Sequence, residues 1–240
     1  MTVLYINGDS HAAGAEAVLP FAFAEDDSAY PPPDRRPHPI NVEASFGNTL
    51  ARNLGTHWVP VNNSESASSN DRIIRTTEEW LANNPKPSLM LIGWTTWERQ
   101  EWLHNGIYYQ VNSSGYDSVP EELQHKYKCW VIEQADPEQQ KENELKWHQR
   151  IWDWHNDLTR REIPHLFFNT YLYYHNVVAH SLEQYDWEGA YIAPYDPMFT
   201  YYQWLKNKGI DTVNPQSYHF GINGHRKWAY FLKEYIDNNF

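Results

Sequence analysis

Serine becomes a competent nucleophile at neutral pH only when a base takes its proton, so the residues of first interest are a serine and a histidine placed at element ends. Ser10 lies in Tyr5-Ile6-Asn7-Gly8-Asp9-Ser10-His11, where the apolar run Val3-Leu4-Tyr5-Ile6 stops at a turn and Ala12, Ala13, Gly14 and Ala15 follow. That pattern predicts a strand, a tight turn and a helix start, with Ser10 at the carboxyl end of the strand. Unpaired N–H groups and the helix dipole at such a place would stabilise an oxyanion forming beside Ser10. His219 is the candidate base, in the loop Asn214-Pro215-Gln216-Ser217-Tyr218-His219-Phe220-Gly221 just before a final helix. His225 belongs to the first turn of that helix, and His11 is too near Ser10 in sequence to be the obvious base. His148 and His155 lie seven apart on a helix with no acidic or cysteine partner at metal spacing, so no metal site is expected. A Gly-Asp-Ser string is also what an ordinary turn looks like, so the surrounding elements must carry the argument.

Those elements alternate. Phe46, Leu50 and Leu54 recur every four residues and close on Gly55, a helix with a glycine stop. Trp58-Val59-Pro60-Val61 reads as a short strand, and the polar loop Asn63 to Arg72 leads into a helix capped by Ser69 or Asn70. Leu89-Met90-Leu91-Ile92 is a continuous apolar run of the buried parallel type, ending in the turn Gly93-Trp94-Thr95-Thr96. Asp136-Pro137-Glu138-Gln139 starts a long amphipathic helix that reaches Glu162, and Pro164 to Phe168 supplies a fourth strand. Gly189 to Ala193 is a possible short fifth strand, Phe199 to Lys206 a helix, and Trp228, Phe231, Leu232 and Tyr235 mark the apolar face of the last helix. Between Trp97 and Ala135 the pattern is irregular and aromatic, with hairpin pieces expected at Gly106–Val111 and Tyr127–Ile132. Alternating strands and helices predict a parallel sheet covered on both faces, with sites at the carboxyl ends of its strands. Those ends are the turns at Ser10, Ala67 and Thr95 and the loop holding His219.

Composition narrows the class. The 240 residues suit one domain, 1–240, carrying an aromatic-rich insertion at about 97–135. A net charge of -12 argues against nucleic acid or anionic lipid as partners, since both call for clustered Lys and Arg. No apolar run approaches the roughly 18–20 residues needed to cross a bilayer, and no signal-peptide pattern opens the chain, so a soluble, cytoplasmic or otherwise unexported protein is expected. Cys129, the single cysteine, sits among Tyr127, Trp130 and Val131 and is expected to be buried. The 12 Trp and 17 Tyr are expected mostly in the core, with a few exposed rings free to stack on sugar faces. Asn62-Asn63-Ser64 and Asn112-Ser113-Ser114 match the glycosylation acceptor pattern and are read as polar loops. Pro31-Pro32-Pro33 marks the segment Ala24 to Asn41 as a surface excursion.

Gly8-Asp9-Ser10 after a first strand, with Tyr218-His219-Phe220-Gly221-Ile222-Asn223-Gly224-His225 before a last helix, resembles the SGNH (GDSL-type) hydrolase superfamily. The resemblance implies a three-layer α/β/α sandwich around a five-stranded parallel sheet, of flavodoxin-like type, and an esterase, lipase or carbohydrate deacetylase activity without a cofactor. It implies Ser10 as nucleophile and oxyanion donor, His219 as base, and an N–H after the second strand, here that of Ala67, as second donor. The family's third donor is an asparagine in a Gly-x-Asn-Asp turn. Gly93-Trp94-Thr95-Thr96 offers the Thr95 hydroxyl there, and loss of a well-placed donor costs about 100–1,000-fold in rate. The family's Asp-x-x-His block also departs, with Gln216 three residues before His219. Asp211, Asp196 or a backbone carbonyl could orient the ring, and the working form is a Ser10–His219 dyad. A Gly-x-Ser-x-Gly elbow is excluded because Ser10 leaves room for only one preceding strand. The expected activity is removal of an acyl group, such as acetyl, from a carbohydrate or other polar small-molecule ester. A catalytically silent glycan- or protein-binding module, or an assembly protein with an aromatic interface, would use the same fold, and the oligomeric state is open.

Overall fold

The computed structural model describes residues 2–29, 36–113, 115, 119–177 and 185–240. The triple proline and the second glycosylation-type triplet, which ends at Ser114, lie wholly or partly outside them. Strands β1 (Thr2–Asn7), β2 (Trp58–Asn62) and β3 (Leu89–Trp94) are followed by a hairpin of β4 (Gln100–His104) and β5 (Ile107–Val111), then β6 (His165–Asn169). Four of these form one parallel sheet in the order β2-β1-β3-β6. The expected fifth strand is reduced to a single parallel bridge between Phe167 and Tyr191. Gly189 at φ 78°, Ala193 at φ 35° and Pro194 bracket that bridge, so the extended run is too short to be a strand.

The period-2 alternation of the strands sorts the core into two faces. Leu4, Ile6, Leu89, Leu91, Leu166 and Phe168 pack with α3 (Phe46–Leu54), α7 (Tyr201–Asn207) and α8 (Ile222–Asn239). Tyr5, Met90, Ile92, Trp94 and Phe167 pack with α4 (Asn70–Asn83) and α6 (Pro137–Arg160). Helices therefore cover both faces of a mostly apolar parallel sheet, giving three layers. The helix starts follow their capping residues: Ser45 accepts from Asn48 N–H, Ser69 from Arg72 N–H and Asp136 from Glu138 N–H.

The stretch after β3 corrects two expectations. Tyr127–Ile132 belongs to helix α5 (Gln124–Gln134), and Cys129 is exposed on it, while Tyr127 and Trp130 turn inward against Trp102 and Val111. A run of β-prone residues is here helical because every third or fourth one has a separate small core to fill. The hairpin is tied to α4: Gln110 Oε1 accepts from Ser69 N–H at 2.9 Å, and Arg75 binds Glu101 at 2.7 Å. No helix among the described residues is long and apolar enough to cross a membrane.

Candidate active site

The sheet delivers Ser10 to its carboxyl edge because β1 and β3 approach closely at Gly8. A Cβ on Gly8 would lie 2.7 Å from the Ala12 Cβ and 3.0 Å from the Gly93 carbonyl oxygen, so only glycine fits. The chain then enters α1 (Ser10–Ala13), a single turn capped by Asp9, whose Oδ1 accepts from His11 N–H at 3.0 Å. A one-turn helix has little macrodipole. What it offers at Ser10 is N–H groups without intrahelical acceptors.

His219 comes from the far end of the chain, 209 residues away, and its Nε2 lies 2.8 Å from Ser10 Oγ. Its Nδ1 lies 2.7 Å from Glu16 Oε2. A carboxylate only accepts, so Nδ1 carries the proton and Nε2 presents its lone pair to the Ser10 hydroxyl, the tautomer a general base needs. Ser217 Oγ donates to the same Glu16 oxygen. These bonds, that from His219 foremost, hold the Glu16 carboxyl below the usual range despite partial burial. A Ser–His–carboxylate line is therefore complete, where the sequence suggested a dyad.

The two acids considered earlier are elsewhere. Asp211 pairs with Lys206 at 2.8 Å, and Asp196 caps the short helical turn Pro197–Phe199. Gln216 is exposed in the loop, its backbone N–H bonded to Asn214 Oδ1. Glu16 was overlooked because the resemblance places the acid in the last block. The one local signal was Gly14, which at φ 77° turns the chain back after α1. The loop beyond it is fixed by Asn41 on α2 (Pro39–Ala44). Its Oδ1 accepts from Val18 and Leu19 N–H, and its Nδ2 donates to the Leu19 and Phe21 carbonyls. The surface excursion thus orders the turn that carries the acid.

Ala67 sits at φ 64° in a turn closed by Ser68 N–H to the Glu65 carbonyl at 3.2 Å. Glu16 at φ 60° and Tyr218 at φ 61° share this left-handed conformation, which costs a non-glycine residue roughly 1–2 kcal/mol. Three of the seven non-glycine residues with positive φ among the described residues thus fall in the loops that carry the candidate site residues. Thr95 departs from its expected part. Its N–H donates to Asn70 Oδ1 at 2.9 Å, the residue is 1% exposed, and its Oγ1 is sealed from solvent on the side of the Asp9 carboxylate, whose charge it helps to stabilise.

Asp9 is buried, and Thr170 Oγ1 donates to its Oδ2 at 3.1 Å. Burial alone would raise its pKa, but the adjacent His11 ring, the Arg99 guanidinium and hydrogen bonds from the Thr95 side chain and His11 N–H outweigh that and hold it low. His11 lies edge-on to His219, with ring centres 5.3 Å apart, and burial lowers its pKa to about 4. His225 accepts from Phe46 N–H through Nδ1, caps α3, and is lowered to about 3, chiefly by burial. Of the helix histidines, His148 meets Tyr195 Oη at 2.9 Å and His155 meets His165 at 2.8 Å. Among the described residues no group of three His, Cys, Asp or Glu could hold a metal.

Tyr171, Tyr202 and Tyr218 form an aromatic group next to His219, with ring centres 4.8 to 6.2 Å apart. Tyr171 and Tyr218 are exposed. Tyr171 also lines a cavity of about 960 Å³ with Trp97, Gln134, Asn143, Glu144 and Asn176. A smaller cavity between α7 and α8, beside Trp204 and Tyr230, has none of Ser10, Glu16, Ala67, Thr95 or His219 in its wall.

No protein-family model and no curated protein matches the chain. Among solved structures it is similar to a carbohydrate esterase whose active site displays divergent catalytic and non-catalytic binding functions. That likeness has 13% identity and a TM-score of 0.44, over 99% of this chain and 65% of the other. It is also similar to a carbohydrate esterase family 2 enzyme of Myceliophthora fergusii with a carbohydrate binding domain. There the identity is 11% and the TM-score 0.46, over 99% of this chain and 66% of that one. The chain thus spans just under two thirds of the length of each.

Proposed function

We propose that this chain is an SGNH-like serine ester hydrolase that removes an acyl group, such as acetyl, from a carbohydrate or similar polar alcohol. The observation that carries the reading is the continuous line Ser10 Oγ, His219 Nε2, His219 Nδ1, Glu16 Oε2, with distances of 2.8 and 2.7 Å. Ser10 attacks the acyl carbon while His219 takes its proton. Glu16 holds the imidazole in the correct tautomer and offsets the charge it gains. The N–H groups of Ser10 and Ala67 receive the oxyanion. His219 then returns the proton to the leaving alcohol, and water repeats the sequence to free the acid.

The neighbouring surface supports a sugar as the alcohol. Tyr218 next to His219 and its neighbour Tyr171 are exposed rings, and the cavity that Tyr171 lines carries polar side chains, Gln134 and Asn176 among them, although Ser10 and His219 are not in its wall. The test is hydrolysis of nitrophenyl acetate and of acetylated mono- and oligosaccharides by the native protein and by Ser10→Ala. Turnover in the first and its loss in the second are expected. Folded native protein that cleaves neither class would overturn the proposal and favour a binding module.

A further inference from the structure

The third oxyanion donor is unfilled in the scheme above. Thr95 Oγ1 is sealed from solvent, and an oxygen that water cannot touch cannot be touched by a substrate oxygen of the same size. The same loop supplies another group four residues on. Arg99 Nη1 lies 3.4 Å from the Ser68 carbonyl oxygen and 3.9 Å from Asp9 Oδ2. Those atoms belong to the residues next to Ala67 and Ser10, the two backbone donors.

A guanidinium has five N–H donors. In Arg99 Nη1 makes one long bond, Nη2 makes none among the described residues, and the side chain stays 23% exposed; Nε is as sealed as Thr95 Oγ1, so only the terminal nitrogens can serve. Arg75 is far better satisfied: it grips Glu101 through two bonds of 2.7 Å and adds Glu79. Asp9 gives Arg99 no close bond: the nearest approach of the two is the 3.9 Å between Nη1 and Oδ2. An arginine left with open donors between two loops that both face the nucleophile is placed for an anion that exists only transiently.

We infer that Arg99 is a catalytic residue, donating to the oxyanion in the place that the resemblance assigns to asparagine. The inference rests on the serine-hydrolase reading. When Ser10 Oγ bonds to the acyl carbon, its proton passes to His219 and the carbonyl π pair moves onto oxygen. That negative oxygen meets the N–H groups of Ser10 and Ala67 and the Arg99 guanidinium. Collapse restores the carbonyl and breaks the bond to the alcohol, which leaves with the proton from His219. A charged donor in a partly dry site stabilises such an oxygen more than a neutral hydroxyl does.

The experiment compares native protein with Arg99→Met, which keeps the stem, and Arg99→Lys, which keeps the charge beside Asp9. Nitrophenyl acetate is the substrate and a boronic acid that becomes a tetrahedral anion on serine is the inhibitor. Arg99→Met is expected to lower kcat about 100–1,000-fold, to leave KM little changed, and to weaken the boronate by a similar factor. Arg99→Lys should fall between the two. It also keeps the test open if the methionine variant does not fold. Unchanged kcat and boronate affinity in a folded variant would overturn the inference, as would a loss confined to the KM of negatively charged esters. Native protein without esterase activity would instead refute the serine-hydrolase reading, and the inference with it.

Discussion

Glu16 is the residue on which the chemistry turns most sharply. Changing it to Gln keeps an acceptor for His219 Nδ1 but removes the charge that the imidazolium needs. Glu16→Gln should lower kcat on nitrophenyl acetate by about 100-fold or more, toward the ~10⁴ seen when a triad carboxylate is neutralised, with KM nearly constant. A change under about twofold would show that Glu16 only holds the loop. Tyr171 calls for a different measurement. Tyr171→Ala should raise KM for an acetylated oligosaccharide while leaving nitrophenyl acetate turnover unchanged, because only the former reaches the cavity wall. Equal effects on both substrates would count against the sugar platform.

At the scale of elements, two devices hold the catalytic line together. The Asn41 side chain makes four hydrogen bonds to the loop that follows Glu16. Asn41→Ala leaves those groups unpaired in a partly buried place, so it should cost about 1–2 kcal/mol in denaturant unfolding and reduce kcat through the displaced acid. Full activity at reduced stability would separate the loop from the chemistry. The second device is Gly8. Gly8→Ala forces a Cβ against Ala12 and the Gly93 backbone, so a loss of about 1–3 kcal/mol and a slower reaction of Ser10 with a fluorophosphonate are expected. Native stability and labelling in this variant would show that the strands can part without cost.

Over the whole molecule, acid should be the effective denaturant. His11, His148 and His165 are held neutral down to about pH 4, and His225 to about 3, each chiefly by burial. An unfolded chain protonates histidine near 6.5. Between these values it therefore binds more protons than the folded one, and stability falls as pH drops. Urea unfolding at pH 7, 5.5 and 4 should show that decline, with little change from pH 7 to 8. A flat profile from 7 to 4 would mean that these rings protonate without unfolding.

Much of this architecture was legible because local signals and the tertiary fold agree. Apolar runs became β1, β3 and β6, caps at Ser69 and Asp136 opened helices, and two end loops brought Ser10 to His219. What escaped was set by long-range packing. Glu16 owes its place to Asn41 and to a partner 203 residues away, neither visible as spacing. Residues 127–132 became helical to fill a satellite core, and the segment at Tyr191 lost its strand to the turns on either side. Thr95 carries the right kind of atom in the right loop, but its hydroxyl faces the interior.

The central claim is that Ser10 is a nucleophile activated by His219. Its most direct test is mass spectrometry of the native protein, Ser10→Ala and His219→Ala after exposure to a fluorophosphonate. One adduct, mapped to Ser10, is expected in the native protein, none in Ser10→Ala, and labelling slowed at least 100-fold in His219→Ala. Folded native protein that takes up no label, or labels equally fast without His219, would contradict the account.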